Sequence, residues 1–152
     1  MNLKFRQATR EDLPEIVRML ADDFLGSRRE RYENPLPESY LKAFEEIDAD
    51  KNNELIVADA DGAIVGALQL TLTPSISFQG GKRATVESVR VDEKLRGRGI
   101  GRELMLYAID RAREADCISM QLTTNAERAD AHRFYENLGF QKSHLGMKLK
   151  LK

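Results

Sequence analysis

The fold is decided by the stretch VDEKLRGRGIGRELM, residues 91–105, which changes character at three closely spaced glycines. Before Gly97 the residues alternate as in a strand, and after Gly101 apolar residues recur at helical spacing. Glycine in such a place costs backbone entropy, so the three predict a backbone that bends tightly or approaches another group closely. Because the first amides of a helix lack intrahelical partners and favour negative charge, the turn predicts a site for a phosphate-like anion.

Two common nucleotide-binding motifs do not fit this turn. The P-loop requires Lys-Ser or Lys-Thr after its last glycine, and neither pair follows here. The Rossmann fingerprint requires G-x-G-x-x-G, whereas the spacing here is G-x-G-x-G, and the repeated βαβ units of that fold are missing. A glycine-rich turn that only lets a helix pack close to a strand is the alternative without a ligand.

Length and charge restrict the class of protein. A chain of 152 residues fits a single domain, here taken as residues 1–152. With 24 basic and 25 acidic side chains the net charge is -1, so charge gives no reason to expect nucleic acid as the main partner. The lone Cys117 excludes an internal disulfide and favours the cytoplasm. No apolar run approaches membrane-spanning length and the first residues do not resemble a signal peptide, so no membrane partner is expected.

Hydrophobic periodicity predicts alternating strands and helices in the order β-α-α-β-β-β-α-β-α-β(-β). Thr9, three residues before Asp12, is a plausible cap for the first helix, which Gly26 is expected to close. Asp61-Gly62 marks a tight hairpin turn. Antiparallel hairpins followed by one parallel strand–helix–strand unit indicate a mixed α/β fold rather than a doubly wound one. Strands are predicted at residues 3–6, 55–58, 64–73, 84–91 and 118–122, helices at 16–24, 40–47, 100–115 and 131–138, and one or two closing strands within 140–151.

The glycine turn also carries a family resemblance. Residues 96–101, RGRGIG, match the R/Q-x-x-G-x-G/A motif of the GCN5-related N-acetyltransferases, the GNAT superfamily. Residues 134–140, FYENLGF, resemble the second conserved block of that family, and the predicted element order agrees over essentially the whole chain. The resemblance implies a GNAT fold, with a mostly antiparallel twisted sheet of six to seven strands flanked by four helices.

The resemblance also implies a donor and a way to hold it. The family transfers an acetyl group from acetyl-CoA, usually to an amine, and no metal site is expected because the histidines His132 and His144 lack ligand spacing. Backbone groups of Val89 and Val91 would pair with the pantetheine arm. The CoA pyrophosphate would lie on the turn formed by Arg96, Gly97, Arg98, Gly99, Ile100 and Gly101.

Glu87 is the candidate general base. An amine such as that of lysine has a pKa of about 10.4, so it arrives protonated and a carboxylate must accept its proton, directly or through water. Glu87 lies on the strand that leads into the glycine turn. In a regular strand Glu87, Val89 and Val91 face the same side, although the family often places a bulge here. A solvent-facing strand glutamate without a role in catalysis is the alternative.

Tyr135 matches the family tyrosine that protonates the departing CoA thiolate, and a core tyrosine is the alternative. The backbone N–H of Val91 is the candidate group to stabilise the thioester oxygen. Many relatives carry an asparagine seven residues before this tyrosine, where the present chain has Arg128. Asn125 lies ten residues before Tyr135, out of register, and is expected to cap the fourth helix instead.

These residues predict an acetyl-CoA-dependent N-acetyltransferase that works by direct attack in a ternary complex. The alternative is a non-catalytic GNAT-fold module that binds acyl-CoA or docks to a partner, and a nucleic-acid-binding regulator is a third hypothesis. The acceptor amine is not readable from the sequence. The polar stretch 28–33, RRERYE, is expected to help wall the acceptor site or to form a solvated loop. A homodimer is compatible with the apolar alternation at the C-terminus.

Overall fold

A five-stranded sheet forms the centre of the computed structural model, which describes all residues from 1 to 152. The strands lie side by side in chain order, the first four antiparallel and the last parallel to its neighbour. Asp61 and Gly62 join the second and third strands with φ angles of 52° and 94°, as a type I′ turn requires. The strands are β1 (Leu3–Gln7), β2 (Asn53–Ala60), β3 (Ala63–Thr73), β4 (Lys82–Val91) and β5 (Cys117–Gln121).

Helices cover both faces of this sheet. The longest begins at the glycine turn, as the sequence predicts. None of the helices is both long enough and apolar enough to span a bilayer. Two 3₁₀ turns, Arg10–Asp12 and Glu93–Leu95, precede the first and the longest helix. The helices are α1 (Leu13–Leu20), α2 (Phe24–Arg29), α3 (Glu38–Ala49), the single turn α4 (Ser77–Gly80), α5 (Ile100–Glu114) and α6 (Ala129–Asn137).

The hydrophobic core has one layer on each side of the sheet. On one side Leu68 and Leu70 of β3 are fully buried against Leu104 of α5. On the other side Val57 of β2 packs with Met19 of α1. Alternate residues of a strand point to opposite faces, so the two central strands are apolar on both faces and anchor both layers.

The mixed α/β fold is confirmed, but the sheet is smaller than predicted, and there are six helices, one of them the single turn α4, rather than four. The sheet has five strands rather than six to seven. The prediction of one or two closing strands within residues 140–151 is wrong. Every residue from 141 to 152 is exposed. Alternating apolar residues indicate which side chains would share one face of a strand, but a strand also needs a neighbour to pair with. No strand pairs with the outer edge of β5.

The first predicted helix is divided into two. α1 ends at Leu20, and Asp23 starts α2 by accepting a hydrogen bond from the Gly26 N–H at 2.7 Å. Gly26 therefore lies inside a helix rather than at its end. A Cβ on Gly26 would stand 1.8 Å from the Leu20 carbonyl oxygen, so this close approach of α1 and α2 requires glycine.

A buried carboxylate joins the start of α1 to the first strand. Asp12 is 8% exposed and accepts hydrogen bonds from Arg6 at 2.7 and 3.1 Å. It also accepts from the Thr9 N–H at 2.7 Å, which confirms the predicted capping pair. Burial acts to raise the pKa of Asp12, but the hydrogen bonds from Arg6 and Thr9 outweigh it and lower that pKa below its usual value.

We expect the Asp12→Asn variant to lose about 1–2 kcal/mol of unfolding free energy at pH 7, because charge-assisted hydrogen bonds are lost. Since the folded-state pKa of Asp12 is lowered, its contribution is present above about pH 4 and is lost as pH falls through the folded pKa. The variant should therefore show a shallower loss of stability on acidification, measured by urea unfolding at several pH values. Asp48→Asn, at an exposed position of α3, is the control, and equal acid sensitivity in parent and Asp12→Asn would contradict the prediction.

Candidate functional site

A gap opens between the last two strands of the sheet. Parallel pairing of β4 with β5 begins at Lys82 and Cys117 and stops at Thr85 and Gln121. The remainder of β4, residues 86–91, has no neighbour on that edge, because the chain after β5 leads away into α6. We call the space between residues 86–91 and the segment 122–128 the β4–β5 gap. Backbone groups of β4 that face this gap are free to bind another molecule.

A bulge in β4 sets the direction of the side chains that border the gap. Glu87 pairs with Gln69 and Arg90 pairs with Ala67, so Ser88 and Val89 together oppose one residue of β3. Ser88 has a φ of 57°, the left-handed conformation typical of such a bulge.

The bulge places Glu87 and Arg90 on one face and Val89 with Val91 on the other. Arg90 pairs with Ala67, which belongs to the core layer under α1, whereas Val89 and Val91 pack against the layer under α5. The expectation from regular alternation, that Glu87 shares a face with Val89 and Val91, is therefore wrong. The extra residue reverses the order of faces along the strand.

The backbone N–H of Val91 faces the β4–β5 gap. The neighbouring Asp92 N–H donates to the Val65 carbonyl of β3 at 2.9 Å. Because successive residues of an antiparallel strand direct their N–H groups to opposite edges, that of Val91 points away from β3. The position fits the expected pairing with an extended ligand and the expected donor to a developing oxyanion.

The glycine turn lies beside the same edge and leaves its backbone accessible. Gly97 and Gly99 have φ angles of 80° and 82°, and a Cβ on either would meet nothing within 4 Å. Gly99 is the N-cap of α5, so the first free amides of that helix point out of the turn. Arg96, Arg98 and Arg102 are exposed and form no salt bridge. The turn thus offers free amides and three free cations to an anion.

Two members of the predicted cofactor set contribute differently from the rest. Ile100 is 2% exposed and belongs to the core, so only its backbone is available to a ligand. A Cβ on Gly101 would meet Val91 at 3.4 Å and Phe134 at 3.5 Å. Gly101 therefore lets α5 and α6 pack closely beside β4, which is the role that the alternative without a ligand assigns to the turn.

The two candidate acid–base residues differ in their surroundings. The side chain of Glu87 is exposed and forms no hydrogen bond within the chain, so its carboxylate is free to reach a ligand or water. Tyr135 of α6 is half-buried, with its ring 5.1 Å from that of Phe134 and 5.9 Å from that of Phe140. Burial raises the pKa of Tyr135, although the positive charges of Arg90 and Arg128 act to lower it. The phenol is therefore protonated at neutral pH and able to donate.

The segment before α6 does not behave as predicted. Arg128 is the N-cap of α6, and Asn125 instead accepts a hydrogen bond from the Glu127 N–H at 2.9 Å. The expectation that Asn125 caps the helix is wrong, because its side chain closes the preceding turn. Arg128 forms an ion pair with Asp23, the cap of α2, and so links the start of α6 to the start of α2.

Sequence reasoning missed Arg90, whose charge acts on Tyr135, and Asp23, whose charge acts on Arg90. Burial, followed by the positive charge of Arg128, lowers the pKa of Arg90, and Asp23 acts in the opposite direction. An arginine between the two valines of the predicted ligand-binding edge was the available signal. For Asp23 the sequence carries no such signal, because the residues that it contacts include Arg128, which is distant in the chain.

The other predicted polar residues lie apart from this arrangement. His132 Nε2 is 3.2 Å from the Asn125 carbonyl, and the exposed His144 is 2.6 Å from the Ser143 hydroxyl. Cys117 is half-buried at the start of β5, and burial raises its thiol pKa. These observations fit the structural roles that the sequence favours for them.

Comparison with known proteins gives related chains across most of the length. Residues 15–140 match the model of the acetyltransferase (GNAT) family. An aminoalkylphosphonate N-acetyltransferase from Salmonella typhimurium is 28% identical over 142 residues, covering 93% of this chain and 86% of that protein. A glucosamine 6-phosphate N-acetyltransferase from Trypanosoma brucei is 31% identical over 59% of each chain. A crystal structure described as a transcriptional regulator from Bacillus halodurans C-125 superposes with a TM-score of 0.96 at 55% identity, covering 99% of this chain and 100% of that one.

Proposed function

The chain belongs to the GNAT acetyltransferase family, and we propose that it transfers the acetyl group of acetyl-CoA to a primary amine by direct attack in a ternary complex. The observation that carries the proposal is the open glycine turn at the start of α5 beside the unpaired edge of β4. The turn supplies amides and cations for a pyrophosphate, and the edge supplies backbone groups for an extended arm. The single, half-buried Cys117 supports a location in the reducing cytoplasm.

The donor is held mainly by backbone. The CoA pyrophosphate lies on the amides from Gly97 to Gly101, with the side chains of Arg96 and Arg98 adding positive charge. The pantetheine arm runs along β4 and pairs with the backbone of Val89 and Val91. This arrangement directs the thioester into the β4–β5 gap, next to Tyr135.

The transfer needs three proton movements at the reacting atoms: two from the acceptor nitrogen and one to the CoA sulfur. Glu87 accepts a proton from the acceptor ammonium, directly or through one water, and the free amine attacks the thioester carbon. The Val91 N–H stabilises the oxyanion of the tetrahedral intermediate. The carbon–sulfur bond then breaks, the acetyl group stays on nitrogen, and the CoA thiolate takes its proton from the Tyr135 phenol. The amide nitrogen passes its second proton to the Tyr135 phenolate, and Glu87 releases its own proton to solvent.

The relatives suggest where the search for an acceptor begins. Two of them are named for amines that carry a phosphorus oxyanion, an aminoalkylphosphonate and glucosamine 6-phosphate. Small anionic amines therefore belong in the first panel of acceptors, beside neutral amines and lysine-containing peptides.

A regulatory role without catalysis is the second candidate. It is supported by the 55% identical Bacillus halodurans protein, which is described as a transcriptional regulator. The net charge of -1 gives no electrostatic support to DNA binding. Salt-sensitive binding to duplex DNA, together with no thiol release from acetyl-CoA for any amine, would favour this candidate over the enzyme.

A homodimer is the assembly that the C-terminal segment supports. Leu145, Met147, Leu149 and Leu151 alternate along this segment and are 84–93% exposed. The outer edge of β5 lacks a neighbour, and its Ile118 is 54% exposed. One chain thus carries both an unpaired alternating segment and an unpaired strand edge, two features that aggregate unless they are covered. Reciprocal pairing of each segment with β5 of the second copy covers both by a two-fold operation.

Acetyl-CoA should raise the melting temperature of the protein, whereas acetate or ATP should not. We expect Gly99→Ala to weaken acetyl-CoA binding about tenfold or more, because the new Cβ occupies the space in which the pyrophosphate lies. Gly62→Ala is the matched control, since Gly62 has a φ of 94° and equally open surroundings but lies in the β2–β3 turn. Titration calorimetry measures both, and equal affinity in the two variants would remove the turn from the donor site.

Glu87→Gln and Tyr135→Phe should each lower kcat by about 100-fold while acetyl-CoA still binds. Glu87→Gln should lower the rate at every pH, because the glutamine amide cannot accept the proton of the acceptor. An acid must be protonated, so the fall at alkaline pH, above the raised pKa of Tyr135, should be absent in Tyr135→Phe. Thiol release across pH measures this, with Glu46→Gln and Tyr107→Phe as controls, and parent-like profiles would place the acid and base elsewhere.

The parent protein should be a dimer by light scattering, and Leu149→Asp should be a monomer because a charge enters the apolar face of the paired segment. Lys150→Gln, on the opposite face of the same segment, should leave the dimer intact. A parent that is monomeric at every concentration, and that loses stability on Leu149→Asp, would show instead that the segment pairs within its own chain.

A further inference from the structure

Arg90 is a desolvated cation whose hydrogen-bonding capacity is mostly unused. Its Nη1 donates to the Val89 carbonyl at 2.9 Å. Its Nε is buried and has no hydrogen-bond partner, and Arg90 forms no salt bridge. A buried charge is costly unless it is paired, so an unpaired guanidinium here calls for a partner that the chain itself does not provide.

The charges around Arg90 do not offer that partner. Arg128 and Arg29 add positive charge, and Asp23 is the carboxylate that acts on Arg90. Asp23 is already engaged, because it pairs with Arg128 and accepts the Gly26 N–H. Arg29 pairs with its neighbour Glu30 at 2.6 Å. The local field is therefore positive, which favours an anion.

The position of Arg90 separates it from the donor site. The bulge at Ser88 places Arg90 on the same face as Glu87, opposite to Val89 and Val91. The glycine turn has its own arginines, and the charges that act on Arg90 come instead from α2 and the segment before α6. Arg90 also lies within electrostatic reach of the Tyr135 phenol, so it borders the place where the acceptor meets the thioester.

We propose that Arg90, supported by Arg128, binds an oxyanion on the acceptor, so that the acceptor is a small amine carrying a phosphonate, phosphate or carboxylate group. This inference rests on the proposed acetyltransferase function and deepens it. The Nε and Nη2 groups on the free edge of a guanidinium match two oxygens of such an anion. Binding would satisfy the orphaned Nε and offset the excess of positive charge at this point.

The proposal explains why the sites for the two substrates do not compete. Both CoA and the acceptor would carry negative charge, yet each has its own cations. The exposed Arg96, Arg98 and Arg102 would bind CoA at the glycine turn. Arg90 would bind the acceptor anion on the face of β4 opposite to Val89 and Val91. Because the acceptor anion is fixed on the side of Glu87, its amine is held near the base.

The test compares acceptors matched in length. 2-Aminoethylphosphonate, phosphoethanolamine and β-alanine carry an oxyanion, whereas ethanolamine and propylamine do not. The parent should acetylate at least one anionic amine with a kcat/KM about 10- to 100-fold above that for the neutral amines. The ranking among phosphonate, phosphate and carboxylate then identifies which oxyanion the site prefers.

Arg90→Gln should abolish this preference mainly through a higher KM for the anionic amines. Arg90→Lys should keep the preference only in part, because an ammonium group lacks the two parallel N–H donors of a guanidinium. Arg83→Gln is the matched control. Arg83 lies on the same strand and also has a buried Nε without a partner, but it donates to Ser75 at the far end of β4. Acetyl-CoA binding should be equal in parent, Arg90→Gln and Arg83→Gln.

A binding measurement separates this inference from the proposed function. 2-Aminoethylphosphonate and inorganic phosphate are titrated by calorimetry into parent and Arg90→Gln, each saturated with CoA. Weaker binding in Arg90→Gln supports the oxyanion site even where no amine is acetylated, an outcome that would defeat only the catalytic proposal. Efficient acetylation of neutral amines, or an anion preference that survives Arg90→Gln, would overturn the inference while the acetyltransferase function stands.

Discussion

The end of parallel pairing between β4 and β5 is the constraint on which the site depends. A strand inside a continuous sheet hydrogen-bonds to both neighbours through its N–H and C=O groups, so no backbone group is left for a ligand. Beyond Thr85 and Gln121 the second neighbour is absent, so the outer edge of β4 keeps unpaired backbone groups that the proposed cofactor would use. The core layer under α5 keeps this edge rigid although it is unpaired, since Val86, Ile100 and Leu104 are buried beneath it.

The bulge at Ser88 adds a second property to the same strand. It reverses the alternation, so that two valines pack toward α5 while Glu87 and Arg90 face the side of α1 and α2. In the proposed complex the donor would be held by backbone and helix amides, which depend little on side-chain identity. The acceptor would meet side chains from three elements, two of which are joined by the ion pair between Arg128 and Asp23.

Local sequence signals predicted most of the fold and only part of the site. The cap formed by Thr9 and Asp12, the Asp61-Gly62 hairpin and the start of α5 depend on neighbouring residues, and all three are present. The division between α1 and α2 was missed because it depends on how closely Gly26 approaches Leu20. The charged surroundings of Arg90 were missed because Asp23 and Arg128 come from distant segments of the chain. The closing strands were overpredicted because alternation does not reveal whether a partner edge exists.

The two faces of β4 carry different kinds of side chain, and this difference has an evolutionary consequence. Under the proposed function, a substitution at position 90 would change which acceptor is recognised without displacing the backbone of Val89 and Val91 on the opposite face. Selection could then alter acceptor preference while binding of the cofactor is kept. Such modularity within a single strand allows one scaffold to diversify into enzymes that share a donor and differ in what they modify.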